Sequence, residues 1–304
     1  MSGSEGFEQD DTAHPGPAWL GPKASENENV GGRRRDMGLS LRAVLPNAIT
    51  AAALCSGLTG IRFAIDGEWE KMLYAIVLAG LLDGMDGRIA RLLKAQSRFG
   101  AELDSLADCL SFGMAPALAL YLWALHDLPR FGWLAALAFA LSCALRLARF
   151  NARIDVDDQP HKSAGFLTGI PAPLGAALGF LPVFLWLATD RNEVFATPWA
   201  VALWTLFVAF LMISNIATFS WGSIRPSRDL RLPAIAATGI IFAAFLTEPW
   251  WTLAVLCLVY LATIPLAAAK YAKVRQQRAE KDSAVQSPLD AQAVENVLAG
   301  REHP

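Results

Sequence analysis

The sequence predicts an all-α protein, a polytopic transmembrane helix bundle of about eight spans (six to eight) with both termini cytoplasmic. Three observations carry this. The 304 residues are 54% hydrophobic and 18% charged, with a mean hydropathy of +0.34, an apolar excess over ordinary globular chains. That excess is confined to the middle, so 1–41 and 274–304 read as polar cytoplasmic tails around a membrane domain over 42–273. Third, if the chain crosses the bilayer eight times, 22 of its 26 Lys and Arg fall on one side, as cytoplasmic loops require. A net charge of −2 excludes a strongly basic nucleic-acid binder, and no nucleic-acid partner is expected. No cleaved secretory signal is expected either, because the N-terminal segment is acidic and the first apolar run begins near Ala43.

Each expected span meets the roughly 17–25 residues that a bilayer-crossing helix needs. The first, 43–65, opens on LPNAIT and stops at Asp66 and Gly67. The second, 70–93, runs into the cationic segment Lys94–Arg98, which turns the chain back into the third, 101–125. Asp127 and Arg130 precede the fourth, 131–152, which closes on ALRLARFN. The fifth, 168–189, starts in GIPAP, whose Pro171 and Pro173 either break it or mark its beginning. The remaining spans cover 195–218, 231–247 and 249–271. Trp69, Trp123, Trp199, Trp250 and Trp251 fall near outer span ends, where aromatic belts form. Cys55, Cys109, Cys143 and Cys257 lack C-x-x-C spacing and read as small buried hydrophobes.

The second and third spans break the rule that lipid-embedded helices avoid charge. Asp83, Asp86, Asp104 and Asp108 lie in or beside them. At roughly 2.5–3.5 kcal/mol per charge on insertion scales, four would cost on the order of 10 kcal/mol unless paired, hydrated or metal-bound. Asp83, Asp86, Gly87 and Ala90 share one helix face, and Gly100, Asp104, Asp108 and Ser111 share another. A hairpin turned at Lys94–Arg98 opposes these faces, so the four carboxylates converge near the cytoplasmic leaflet. Hard oxygen ligands suit Mg²⁺ or Mn²⁺, and a pair of such ions is suited to phosphoryl transfer. The plainer alternative is structural ion pairing, Asp86 with Arg91 and Asp104 with Arg98.

The spacing Asp83-x2-Asp86-Gly87-x2-Ala90-Arg91-x8-Gly100-x3-Asp104-x3-Asp108 resembles the signature of the CDP-alcohol phosphatidyltransferases at every fixed position. The resemblance implies a membrane enzyme that transfers a substituted phosphoryl group from a CDP-linked lipid to an acceptor hydroxyl and releases CMP. It implies that Asp83, Asp86, Asp104 and Asp108 bind the metal, two ions of Mg²⁺ or Mn²⁺, and that Asp108 is also the base. It further implies that Asp83, Gly87, Ala90, Arg91 and Gly100 bind the cytidine diphosphate group, and that the enzyme is a homodimer in the inner membrane with its site facing the cytoplasm. Outside the signature, LPNAIT, AQSRFGAELDSLADCLSFGMAP, ALRLARFN and GIPAP resemble family members that use CDP-diacylglycerol and L-serine. One stretch departs: after Ser214 an Arg-Ile-Pro is expected, and Asn215, Ile216 and Ala217 stand there.

Glycerol 3-phosphate and inositol or inositol phosphate are the alternative acceptors. A divalent-cation transporter using the same carboxylates is the rival outside the enzyme class. Arg146 and Arg149, one turn apart, with Asn151 nearby, are candidates for the acceptor carboxylate or a phosphate, or they anchor a helix end. Asn47 and Thr50 either contact the substrates or form ordinary interhelical hydrogen bonds.

Overall fold

A computed structural model describes residues 41–152, 166–214, 217–219 and 231–265. The tails expected over 1–41 and 274–304 lie outside the described residues, apart from Leu41. Helix α1 (Leu41–Ile65) and helix α2 (Trp69–Leu92) form a hairpin. Two α1 glycines let the neighbouring elements approach closely. A Cβ on Gly60 would stand 3.0 Å from Ile76 Cδ1 of α2, and one on Gly57 would stand 2.8 Å from Ser111 Cβ.

Both ends of α2 are set by the same backbone device. After α1, Gly67 takes φ +73° while the Glu68 N–H donates to the Phe63 carbonyl at 2.9 Å. After α2, Lys94 takes φ +51°, its N–H donates to the Arg91 carbonyl at 3.2 Å, and the Ala95 N–H donates to the Ala90 carbonyl at 2.9 Å. These are left-handed helix stops that satisfy the last carbonyls. In the second a lysine occupies the position that glycine fills without strain. Helix α3 (Arg98–Asp108) then starts on Ser97, whose Oγ accepts from the Gly100 N–H at 3.0 Å, as an N-cap serine does.

The third expected span is one continuous apolar helix, Arg98–Trp123, but it is not α-helical throughout. A π-helical turn, Cys109–Met114, separates α3 from α4 (Ala115–Trp123), and such turns often mark functional sites. After a short 3₁₀ turn at Leu125–Asp127, α5 (Phe131–Ala152) packs against α8 (Pro198–Ile213). Leu134, Leu137, Leu141 and Leu145 form an exposed stripe on α5, while Ala135, Ala136, Phe139 and Cys143 are buried. Both faces are apolar, as a lipid-facing bundle helix requires.

The fifth expected span differs most. It consists of α6 (Ala172–Gly179) and α7 (Leu181–Ala188). Pro171 and Pro173 mark the start of α6, and the break falls instead at Phe180, where Pro182 in the first turn of α7 cannot continue a preceding helix. Two short strands pair antiparallel before α6 and after α8: β1 (Phe166–Thr168) and β2 (Ala217–Phe219), with Leu167 opposite Thr218. The otherwise helical class therefore includes one small ribbon, and α8 ends at Ile213 rather than near 218. Helices α9 (Arg231–Thr247) and α10 (Pro249–Pro265) follow.

Among the described residues, three helices are long and apolar enough to cross a membrane: Val44–Ile65, Arg98–Trp123 and Phe131–Ala152. Helix α2 has the length but carries Glu70, Lys71, Asp83, Asp86, Arg88 and Arg91. The core lies where α2, α4, α5, α6 and α8 converge, around Met72, Leu120, Phe139, Phe180 and Met212. Cys143 and Cys257 are buried as expected and Cys109 is half-buried, whereas Cys55 is exposed on α1; all four are free thiols. The outer-end tryptophans are not uniformly peripheral, since Trp123 is buried edge-on against Trp186 at 5.7 Å.

Candidate active site

The acidic faces meet as the periodicity requires, but only three carboxylates form the cluster. One oxygen each from Asp83, Asp104 and Asp108 lies within 4.8 Å of the others. Asp86, one turn along α2 from Asp83, is buried and turned to α1, where its Oδ2 accepts from Thr50 Oγ1 at 2.6 Å. The structural ion pairs do not form: the Arg91 Nε donates to the Gly87 carbonyl at 3.0 Å, and among the described residues no ion pair joins Asp104 to Arg98.

Beside the cluster lies a cavity of about 220 Å³. Asp86, Gly87 and Ala90 of α2 form one wall; Gly100 and Asp104 of α3 form the opposite wall; Asn47 and Thr50 of α1 form the floor. Asp104 belongs to both cluster and cavity, which places the acidic centre at the cavity edge. A Cβ added at Gly87 would meet nothing within 4 Å, so this wall is open where a ligand would lie. Arg91 is exposed and does not line the cavity.

Helix α5 brings Arg146 to the cluster rather than to the cavity wall. Arg146 interacts electrostatically with Asp108, and its Nε is buried without a hydrogen-bond partner among the described residues. Asp108 Oδ1 is in the same condition. Arg149 points elsewhere, donating from Nη1 to the Ile213 carbonyl at 3.1 Å. Asn151 Nδ2 donates to Ser105 Oγ at 2.9 Å, which ties the end of α5 to the turn between Asp104 and Asp108. Ser105 and Ser97 were not singled out from the sequence. Ser97 carries a legible signal, a capping residue directly before a helix, while Ser105 shows its role only through a partner 46 residues away.

The donor set fits a hard divalent ion. Asp83, Asp104 and Asp108 bring one carboxylate oxygen each within 4.8 Å of one another, the hard oxygen donors that Mg²⁺ and Mn²⁺ take. Asp108 Oδ1, buried without a hydrogen-bond partner among the described residues and beside two further carboxylates, is free to serve as a ligand to such an ion.

The CDP-alcohol phosphatidyltransferase family model matches residues 43–219, which hold the cluster, the cavity and Arg146. The chain belongs to this family. A second model, CDP-alcohol phosphatidyltransferase 2, matches residues 229–265, the region of α9 and α10. Relatives named CDP-diacylglycerol–serine O-phosphatidyltransferase resemble the chain along most of its length. The one from Mycobacterium leprae (strain TN) is 37% identical over 226 residues, 74% of each chain. The one from Mycobacterium tuberculosis (strain ATCC 25618 / H37Rv) is 36% identical over 252 residues, covering 82% of this chain and 84% of its own. The one from Helicobacter pylori (strain ATCC 700392 / 26695) is 32% identical over 202 residues, covering 66% and 81%. The chain is thus a membrane enzyme of a divalent-metal-dependent CDP-alcohol phosphatidyltransferase family.

Proposed function

We propose that the chain transfers the phosphatidyl group of CDP-diacylglycerol to the hydroxyl of L-serine, giving phosphatidylserine and CMP. The observation that carries this reading is the carboxylate cluster at the cavity edge, inside a region matched by the family, in a chain whose relatives share one acceptor in their names. Asp83, Asp86, Asp104 and Asp108 would hold Mg²⁺ or Mn²⁺, two ions by family resemblance. When bound, the metal neutralises the pyrophosphate and assists departure of CMP.

The remaining steps belong to the chain. The cytidine diphosphate group enters the cavity along Gly87, Ala90 and Gly100, with open space at Gly87, where a Cβ would meet nothing within 4 Å. Arg91 reaches it from the rim. Asp108 accepts the proton of the serine hydroxyl as that oxygen attacks the phosphatidyl phosphorus. The phosphorus–oxygen bond to CMP breaks, and CMP leaves with the electron pair. Arg146, half-buried beside Asp108 with an uncommitted, buried Nε, receives the serine carboxylate; Arg149 and Asn151 hold the surrounding backbone and helix α3. The enzyme lies in the inner membrane as a homodimer, with both termini and the site facing the cytoplasm, where serine is soluble.

The test is CMP release from CDP-diacylglycerol by purified protein in detergent with Mn²⁺ and, separately, serine, glycerol 3-phosphate, inositol and inositol phosphate. Serine-selective, chelator-sensitive release that Asp108→Asn abolishes is the expected result. Release with a different acceptor would overturn the serine assignment and leave the family chemistry in place. Divalent-ion binding with no release from any acceptor would favour ion transport.

A further inference from the structure

Asp86 is the signature aspartate that the three-carboxylate cluster leaves out, and α1 explains where it is held. Thr50 and Asp86 are each 4% exposed. Thr50 Oγ1 lies 2.6 Å from Asp86 Oδ2 and 3.1 Å from the Pro46 carbonyl oxygen one turn earlier. A hydroxyl carries a single proton, and the shorter contact to the carboxylate takes it. On the same turn, Asn47 Oδ1 stands 2.9 Å from where a Cβ of Gly100 would lie. The first turns of α1 therefore touch both metal-bearing elements, whereas α2 and α3 pack mainly against α1 rather than each other.

We propose that Thr50 is a positioning residue: its hydroxyl presets the Asp86 carboxylate, and so sets the affinity of the aspartates for their divalent cation. This rests on the reading above only in taking Asp86 as a metal-site residue. A buried carboxylate with a fixed donor has lost its torsional freedom before the ion arrives. Without that donor it must be ordered on binding and leaves an oxygen unsatisfied. Partners that orient metal ligands in this way are typically worth 10–100-fold in metal affinity.

The test uses the full chain in detergent and two readouts, Mn²⁺ binding followed by the electron paramagnetic resonance of free Mn²⁺, and the Mn²⁺ dependence of CMP release. Thr50→Val keeps the shape and removes the donor; Thr50→Ser keeps the donor. The expected result is Mn²⁺ binding weakened roughly 10–100-fold in Thr50→Val and restored in Thr50→Ser. Wild-type Mn²⁺ binding in Thr50→Val would overturn the proposal, as would a wild-type protein that binds no Mn²⁺. Should Thr50→Val fail to elute as a monodisperse species, Thr50→Ala against Thr50→Ser decides on the same criterion. Mn²⁺ binding that responds to Thr50 in a protein that releases no CMP with serine would sink the proposed reaction and leave this inference standing.

Discussion

Replacing Gly87 by alanine separates what the fold needs from what the ligand needs. A Cβ at Gly87 meets nothing within 4 Å, and the residue lies inside α2. Glycine within a helix costs roughly 0.5–1 kcal/mol relative to alanine, so Gly87→Ala should be at least as stable as the wild type. For a chain of this size that corresponds to a rise of roughly 1–4 °C in Tm. The new methyl also projects from the wall of the 220 Å³ cavity, into the place assigned to the cytidine diphosphate group. Overpacking by one methyl costs roughly 1–3 kcal/mol, which converts to a KM for CDP-diacylglycerol raised roughly 5–150-fold at 1.4 kcal/mol per decade. Gly84→Ala is the control, since Gly84 also faces open space but does not line the cavity; it should share the thermal gain without the KM change. The assays are thermal unfolding in detergent and CMP release against CDP-diacylglycerol concentration. A wild-type KM in Gly87→Ala would refute the placement of the nucleotide, and a lowered Tm would refute the open wall.

Other consequences follow from the same geometry. Gly57→Ala would place a Cβ 3.0 Å from Ser111 Cα, against backbone that cannot swing aside, so it should lower stability by roughly 1–3 kcal/mol and reduce activity, read as a fall in Tm and in CMP release. Mn²⁺ at 100 times its Kd should stabilise the protein by about 2.7 kcal/mol; the Tm should rise with the ion, fall with chelator, and respond far less in Asp104→Asn. Asn151→Ala and Ser105→Ala should each cost about 1 kcal/mol through the lost 2.9 Å hydrogen bond. The double variant should cost little more than either single one, and additive losses would show that the two residues act independently.

Much of this protein is legible from local pattern. Helices α1, α2 and α5 fall close to their expected bounds, because an apolar run closed by Asp66-Gly67 or by Lys94–Arg98 states both length and ends. The aspartate spacings placed Asp83, Asp104 and Asp108 on opposable faces, since helical periodicity is a property of the chain by itself. The sequence also determined the family, through a signature whose fixed positions all lie within 26 residues of one another.

What tertiary structure decided depends on partners far apart in sequence. Asp86 looks equivalent to Asp83 in the motif, and only the fold shows that Thr50 of α1, 36 residues away, fixes its carboxylate. Asn151 reads as a ligand candidate from the sequence, and only the fold shows its amide donating to Ser105, 46 residues away. The π turn at Cys109–Met114 and the break at Phe180 were equally invisible as spans, because hydropathy counts apolar residues without registering which carbonyl each N–H meets. In a lipid-facing bundle both sides of a helix are apolar, so the pattern that marks a buried face in water is missing. The choice of which face packs was left to close contacts such as Gly57 on Ser111 and Gly60 on Ile76.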